Sequence, residues 1–173
     1  MQKNSCGNIC ICGGGIEAMS SVELDYDFRA MQLDDLPSVI ENERQSYSHP
    51  WSEGIFADCV KSGHECWLFL NRDSVAGHGI LSIVADESHL LNVCVKPSLR
   101  GRGYGRILVE YMLDRARLQL VSCVFLEVRP SNLIAYKLYE SMGFNEVGLR
   151  KDYYPAKSGR EDAIVFAKEL LYD

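Results

Sequence analysis

A short segment rich in glycine and arginine holds the residues whose chemistry is easiest to interpret. Glycine lets the backbone approach a ligand with no Cβ atom in the way, and arginine supplies positive charge where an anion would lie. Backbone N–H groups that converge at such a turn are suited to holding phosphate. The segment therefore predicts a phosphate-binding loop formed by Gly101, Arg102, Gly103, Tyr104, Gly105 and Arg106, with Arg100 beside it.

The spacing of the glycines narrows the kind of loop. A P-loop has Lys followed by Ser or Thr after its last glycine, whereas Arg106 and Ile107 follow Gly105. A dinucleotide-binding fingerprint requires a third glycine where this chain has Arg106 or Leu108. The pattern that fits is Arg-x-x-Gly-x-Gly, which begins at Arg100. From the loop alone, an ordinary turn whose glycines only allow tight packing stays an alternative.

A strand and a helix are predicted on either side of this loop. An apolar run from Leu91 to Val95 precedes Pro97 and is typical of a strand. Helical spacing of apolar residues follows at Tyr104, Ile107, Leu108, Tyr111 and Met112. A strand, a glycine turn and a helix N-terminus in this order direct several N–H groups at one point.

The rest of the chain predicts one α/β (α+β) domain. We expect strands near 27–31, 65–70, 75–84, 90–95, 124–128, 144–150 and 163–170, and helices at 35–46, 52–60, 103–118 and 132–142. Asp34 or Asp35, Ser52, and Ser131 or Asn132 are the expected helix caps. The order β-α-α-β-β-β-α-β-α-β-β predicts a mixed, mostly antiparallel sheet with helices on both faces. Tyr153, Tyr154 and Pro155 are expected in a loop.

Composition and charge exclude several function classes. The chain has 173 residues, of which 47% are apolar, and its net charge is −6. No apolar run approaches the length of a membrane span. A negative net charge argues against broad nucleic-acid binding and favours a cationic partner such as an amine. We therefore expect a protein that binds neither nucleic acid directly nor a membrane.

The cysteines and the N-terminus predict a cytoplasmic protein without a metal. Seven cysteines, an odd number, and no secretory leader indicate a reducing compartment. Cys6, Cys10 and Cys12 form a cluster with no histidine nearby, and the four histidines show no metal-binding spacing. We expect residues 1–21 to be a disordered extension, with Met19 as a possible start, and residues 22–173 to form a single domain.

Several segments of this chain resemble one family of acetyltransferases. The segments are the Arg-x-x-Gly-x-Gly loop, His49–Ser52, Leu126–Asn132, Leu138–Phe144, and Tyr153–Pro155 followed by Gly159–Ala163. With the order of elements over about residues 26–170, they resemble the GCN5-related N-acetyltransferases (the GNAT family), in particular the RimI type. RimI-type enzymes acetylate the N-terminal alanine of a small-subunit ribosomal protein. The loop marks only the superfamily, whereas the Glu-Val-Arg-x-Ser-Asn segment at 127–132 and the Tyr-Tyr-Pro segment at 153–155 are more specific to the type.

The resemblance implies a GNAT fold and roles for particular residues. It implies acetyl-CoA as co-substrate, no metal, Glu127 as general base and Tyr139 as general acid. The matching asparagine, Asn132, contacts CoA in the family, and the backbone of Val93, Cys94 and Val95 would bind the pantetheine arm like an added strand. From the residues alone, Glu127 either faces a cleft or pairs with a basic neighbour such as Arg129, and Tyr139 is a core aromatic on a helix face.

Acetyl transfer to an N-terminal amine requires little of a general base. An α-amine with a pKa of about 8 is neutral at pH 7 at a cost of about 1.4 kcal/mol, whereas a lysine side chain costs about 4.6 kcal/mol. A carboxylate acting directly or through water is adequate for the former. We expect a monomer that acetylates the N-terminal peptide of a ribosomal protein. Acetylation of a small-molecule amine or a lysine side chain, and a non-catalytic acetyl-CoA-sensing module, stay as alternatives.

Overall fold

The computed structural model of the chain describes residues 26–170. The expectations for residues 1–21, Met19 and the three N-terminal cysteines lie outside the described residues. The strands are β1 (Tyr26–Ala30), β2 (Glu65–Asn71), β3 (Ser74–Val84), β4 (Glu87–Val95), β5 (Cys123–Val128), β6 (Asn145–Pro155) and β7 (Arg160–Glu169). The helices are α1 (Leu36–Ser46), α2 (Glu53–Lys61), α3 (Tyr104–Leu118) and α4 (Leu133–Ser141). Short 3-10 turns occupy Leu33–Asp35 and Pro97–Leu99.

All seven strands form one sheet in the order β1-β2-β3-β4-β5-β7-β6. Only β4 and β5 run parallel, and the other neighbours are antiparallel. Side chains alternate between the faces of a sheet, so Leu68 packs with α1 and α2 while its neighbour Phe69 packs with α3 and α4. The predicted order of elements, the mostly antiparallel sheet and the helices on both faces are confirmed.

Local sequence signals place the helix ends that flank the site. The Ser52 hydroxyl accepts a hydrogen bond from the N–H of Ile55 at 3.4 Å, and the Asn132 amide oxygen accepts one from Ala135 at 3.2 Å. Both residues are therefore the caps that the sequence predicted. Asp35 is the N-cap residue of α1, as predicted, but its carboxylate makes no cap bond to this helix and instead caps the preceding 3-10 turn. It accepts from the N–H of Gln32 at 2.8 Å and pairs with Arg29 at 2.6 Å.

Strand β6 extends further than the sequence predicted. Tyr154 pairs with Glu161 and Pro155 with Arg160, so the expected loop at 153–155 is strand. The pairing is irregular between Arg150 and Tyr154. Because β6 is the outermost strand of the sheet, the missing N–H of Pro155 breaks no ladder on a central strand.

No helix within residues 26–170 has the length and apolar character needed to cross a membrane.

Candidate active site

The centre of the sheet opens where β4 and β5 separate. Their parallel pairing covers only residues 87–90 of β4 and 123–126 of β5. Beyond it, the N–H of Lys96 donates to Ala76 on β3 at 2.8 Å, so the backbone groups of Val93 and Val95 point the other way, into the opening. Two side chains confirm this direction: the Tyr47 hydroxyl donates to the Val93 carbonyl at 2.6 Å, and Arg100 Nε donates to the Val95 carbonyl at 3.1 Å.

Cys94 is oriented away from this opening, unlike its two neighbours. A Cβ atom added to Gly77 would lie 2.5 Å from the Cys94 carbonyl oxygen, so that oxygen faces β3. The thiol is buried 3.4 Å from the Asn42 amide nitrogen, and burial raises its pKa to about 12. The expectation that Cys94 joins Val93 and Val95 as a cofactor contact is therefore corrected, because alternation along the strand gives it the opposite direction.

The glycine-rich loop lies between β4 and α3 and presents free N–H groups. Gly101 has φ +74° and Gly103, the cap of α3, has φ +83°. Within residues 26–170 the N–H groups of residues 101–105 donate no hydrogen bond, and an added Cβ on Gly101 or Gly103 would meet no atom within 4 Å. Open space lined by unpaired donors at a helix N-terminus fits a phosphate group.

The side chains of this segment differ in what they contact. Arg102 is exposed and has no ion-pair partner among the described residues. Arg106 donates to the Ser141 hydroxyl at 2.7 Å and thereby ties α3 to α4. Tyr104 is buried, with its ring centroid 5.2 Å from that of Phe69, so only its backbone faces the loop. An added Cβ on Gly105 would lie 3.5 Å from Leu138, an ordinary contact distance, so the packing of α4 does not require glycine at this position.

Glu127 lies on β5 just beyond the point of separation. Its carboxylate is 13% exposed and forms an ion pair with Arg150 Nη2 at 3.1 Å, while Arg150 is 51% exposed. Arg150 and Glu127 flank β7 diagonally, opposite Ala163 and Val165 respectively. The guanidinium on β6 therefore reaches across the intervening strand.

Arg129, which the sequence offered as one possible partner of Glu127, makes other contacts. Its guanidinium pairs with Glu161 at 3.1 Å, donates to the Pro155 carbonyl at 3.0 Å and lies 4.2 Å above the ring centre of Tyr154. Glu161 also accepts from the N–H of Ser131 at 2.8 Å, and the hydrogen bonds hold its pKa below the usual range. Arg129 thus joins the end of β5 to β6 and β7 beside the opening. Of the two alternatives for Glu127, a basic partner is present, but it is Arg150 and not Arg129.

Tyr139 on α4 is both a core residue and a neighbour of the opening. Its ring centroid lies 5.7 Å from that of Phe144 and 6.3 Å from that of Phe166. Burial raises its pKa to about 12. Burial also raises the pKa values of Tyr47 and Tyr154, and Tyr139 lies close enough to contribute to both. The Glu127 carboxylate also contributes to the raised pKa of Tyr154. The side chains of Tyr47, Tyr139, Tyr154 and Glu127 therefore lie close to one another.

Sequence reasoning missed one member of this group. Tyr47 follows the end of α1, and no feature of the sequence distinguished it from the other tyrosines. Tyr154 lies next to Glu127 and Arg129. Asn132 starts α4, and within residues 26–170 its amide nitrogen makes no hydrogen bond, so it is available to a ligand.

The opening between β4 and β5 has free backbone donors along it and the Glu127 carboxylate beside it. Residues 27–144 match the model of the acetyltransferase (GNAT) family. Over 138 residues the chain is 38% identical to the ribosomal protein bS18 alanine N-acetyltransferase of Escherichia coli K12, covering 80% of this chain and 93% of that enzyme. The enzyme of the same name from Salmonella typhimurium LT2 is 40% identical over 138 residues, with 77% and 90% covered.

A solved structure shows the same architecture. The ribosomal-protein-S18-alanine N-acetyltransferase from Escherichia coli superposes with a TM-score of 0.80 at 35% identity, covering 86% of this chain and 96% of that one. The family match spans the loop and Glu127, and the similarity to these relatives extends over most of the chain. The chain therefore belongs to the GNAT family of acetyltransferases and, within it, to the RimI type.

Proposed function

We propose that this enzyme transfers acetyl from acetyl-CoA to the N-terminal α-amine of a ribosomal protein, with alanine as the first residue. The observation that carries the proposal is the opening between β4 and β5, which has unpaired backbone donors on one side and the Glu127 carboxylate on the other. The names of the relatives support alanine and a ribosomal protein as the acceptor. The acceptor's location supports action in the cytoplasm.

The donor would lie along the opening with each part held by different groups. The N–H groups of residues 101–105 would hold the pyrophosphate, since they donate no hydrogen bond within the described residues and the space beside Gly101 and Gly103 is open. The N–H of Arg106 donates to the Gly103 carbonyl at 3.0 Å, so Arg106 would contribute through its side-chain charge. Val93 and Val95 would bind the pantetheine amides through their backbone, as an added strand would. The free amide nitrogen of Asn132 would donate to the CoA moiety. Cys94 has no part in this contact.

Glu127 would act as the proton acceptor for the incoming amine. Arg150 holds one carboxylate oxygen, Oε1, which leaves the other oxygen for the proton of the ammonium or of a bridging water. The amine nitrogen then attacks the thioester carbon, and the C–S bond breaks as the amide forms. Because reaching a neutral α-amine costs only about 1.4 kcal/mol at pH 7, a carboxylate is a sufficient base.

Tyr139 would stabilise the departing thiolate. A phenol with a pKa of about 12 protonates a thiolate of pKa about 8.5 at a cost of about 4.8 kcal/mol. That cost is larger than the roughly 2 kcal/mol of an unperturbed tyrosine. Burial therefore favours a hydrogen bond from the hydroxyl to the sulfur as negative charge develops, with the proton completing its transfer late in C–S cleavage.

Residues 22–173 form the single catalytic domain in this proposal. The enzyme acts as a monomer and contacts neither nucleic acid nor membrane directly, and no metal takes part in the reaction.

A panel of peptides tests the acceptor. Acetyl transfer is followed by mass spectrometry on peptides that carry a ribosomal N-terminal sequence and differ only at the first residue. One further peptide has a blocked N-terminus and free lysines. We expect acetylation of the α-amine, with alanine preferred.

Two other outcomes would refute the proposal in different ways. Acetylation confined to lysines or to small amines would place the acceptor in another class. Acetyl-CoA binding without turnover on any amine would identify a sensing module. Glu127→Gln is the control, because it should keep acetyl-CoA binding while losing turnover.

A further inference from the structure

A second polar cluster lies beneath the site, between α1 and the sheet. Glu43 on α1, His78 on β3 and Cys94 on β4 are all buried, with exposures of 1%, 0% and 1%. Their ligand-type atoms lie within 4.8 Å of one another. The proposed transfer reaction uses none of the three side chains, so their burial together requires another explanation.

The cluster has the composition and spacing of a zinc site. Carboxylate oxygen, imidazole nitrogen and thiolate sulfur are the ligands that Zn²⁺ takes in proteins. His78 Nε2 lies 3.3 Å from Glu43 Oε2. Two ligands bound to one tetrahedral zinc at about 2.0–2.1 Å are separated by about 3.3 Å. These two atoms are therefore already at the separation that a shared metal requires.

Apart from the His78 imidazole, which offsets the charge only when it is protonated, the Glu43 carboxylate has no cationic side chain paired with it among the described residues. Its other hydrogen bonds come from neutral groups, the N–H of Trp51 and the amide nitrogen of Asn92, both at 3.2 Å. A buried carboxylate without a counter-charge is costly. A zinc ion bound by one carboxylate, one thiolate and a neutral imidazole would make the cluster electroneutral.

An unpartnered polar atom beside the three side chains provides an independent sign of a missing group. The Asn92 amide oxygen is buried and has no hydrogen-bond partner within the described chain. Such atoms are uncommon in folded proteins, and a bound ion or water molecule often supplies the partner they need. Asn92 already contacts Glu43 through its amide nitrogen, so its free oxygen belongs to this cluster and is the candidate fourth ligand.

We propose that Glu43, His78 and Cys94 bind one structural zinc ion that fixes α1 to β3 and β4. On binding, the Cys94 thiol would release its proton to solvent as the Zn–S bond forms, and the imidazole would bind through a nitrogen lone pair. The expectation of no metal came from the absence of local ligand spacing. Glu43 and His78 are 35 residues apart, and only the fold brings them together.

The zinc site would also stabilise the opening between β4 and β5 that is proposed to bind acetyl-CoA. Glu43 lies one helical turn before Tyr47, whose hydroxyl holds the Val93 carbonyl at the opening. A metal that fixes this turn of α1 would fix the position of Tyr47 as well. Loss of zinc should therefore weaken acetyl-CoA binding, although the proposal is tested on metal content and not on activity.

Metal content of the untagged full-length protein tests the proposal. Wild-type protein is analysed by elemental mass spectrometry as purified and after refolding from denaturant in excess Zn²⁺. Cys94→Ala and His78→Gln are compared with Cys66→Ala, a matched control, because Cys66 is also buried with a pKa of about 12 and lies outside the cluster. A variant with Cys6, Cys10 and Cys12 changed to Ser controls for zinc at the N-terminus.

We expect one zinc ion per chain in the wild type, in Cys66→Ala and in the N-terminal variant, and its loss in Cys94→Ala and His78→Gln. Wild-type protein without zinc in both preparations would overturn the proposal and leave a hydrogen-bonded Glu43–His78 pair. Zinc that persists in Cys94→Ala, or that is lost in the N-terminal variant, would also overturn it. If Cys94→Ala fails to fold, a second experiment decides. The N-terminal variant that also carries Cys66→Ala is loaded with Co²⁺, and its absorption spectrum is recorded. A sulfur-to-cobalt charge-transfer band supports the site, and its absence refutes it.

Discussion

Replacing Tyr139 with Phe separates its catalytic role from its packing role. The hydroxyl forms no hydrogen bond within residues 26–170, and the ring packs on Phe144 and Phe166. The substitution keeps the ring and removes only the oxygen. We therefore expect the free energy of unfolding to change by less than about 1 kcal/mol.

The expected loss of rate follows from the raised pKa of Tyr139. With a pKa of about 12, the phenol mainly contributes a hydrogen bond to the developing thiolate. Hydrogen bonds to charged groups contribute about 1.5–3 kcal/mol, which corresponds to a decrease in kcat of about 10- to 150-fold. If Tyr139 transferred its proton completely in the rate-limiting step, its loss would lower kcat by up to about 10⁴-fold.

Three measurements on Tyr139→Phe make this prediction decisive. They are kcat with an N-terminal alanine peptide, acetyl-CoA affinity from thermal shift, and stability from urea unfolding. Tyr136→Phe is the matched control, since it lies on the same helix with its hydroxyl donating to Glu146. We expect the control to keep the wild-type kcat.

Two results would refute the catalytic role of Tyr139. If Tyr139→Phe turned over within twofold of the wild type at saturating acetyl-CoA, Tyr139 would be a core aromatic only. A loss of kcat that came with a comparable loss of acetyl-CoA affinity and stability would equally indicate a packing role.

Three further predictions concern the base, the loop and the buried phenol. Glu127→Gln should retain acetyl-CoA binding but lower kcat by about 10²- to 10⁴-fold, with partial recovery at high pH where the α-amine is already neutral; a flat loss at every pH would contradict the base role. Gly103→Val should abolish the stabilisation by acetyl-CoA, whereas Gly159→Val, at an equally open position with φ +72°, should only destabilise the fold; equal thermal shifts in both would place the pyrophosphate elsewhere. Because the pKa of Tyr139 rises from 10.0 to about 12 on folding, the neutral phenol contributes stability that is complete below pH 10 and is lost as pH rises to 12, by up to about 2.7 kcal/mol. The free energy of unfolding, measured with urea at pH 8 and pH 11.5, should therefore fall less for Tyr139→Phe than for the wild type. Equal decreases in both proteins would contradict the raised pKa of Tyr139.

Signals carried by neighbouring residues were sufficient for the order of elements and for the loop. The Ser52 and Asn132 caps act within three residues of their partners, and the positive φ angles at Gly101 and Gly103 follow from residue type. Strand and helix periodicities are likewise local. The resemblance supplied catalytic roles for Glu127 and Tyr139. The residues alone did not decide whether these side chains serve an active site or only the structure of the fold.

Contacts between distant segments were decided only by the tertiary structure. Glu127 pairs with Arg150 rather than the nearby Arg129 because β7 places Arg150 diagonally across from it. Backbone groups along β4 point alternately toward β3 and toward the opening beside β5, and those of Cys94 point toward β3. Which residues point which way depends on the strand register and not on residue type. Glu43, His78 and Cys94 meet for the same reason. Local propensity fixes where an element begins and ends, whereas register and packing fix which side chains face one another.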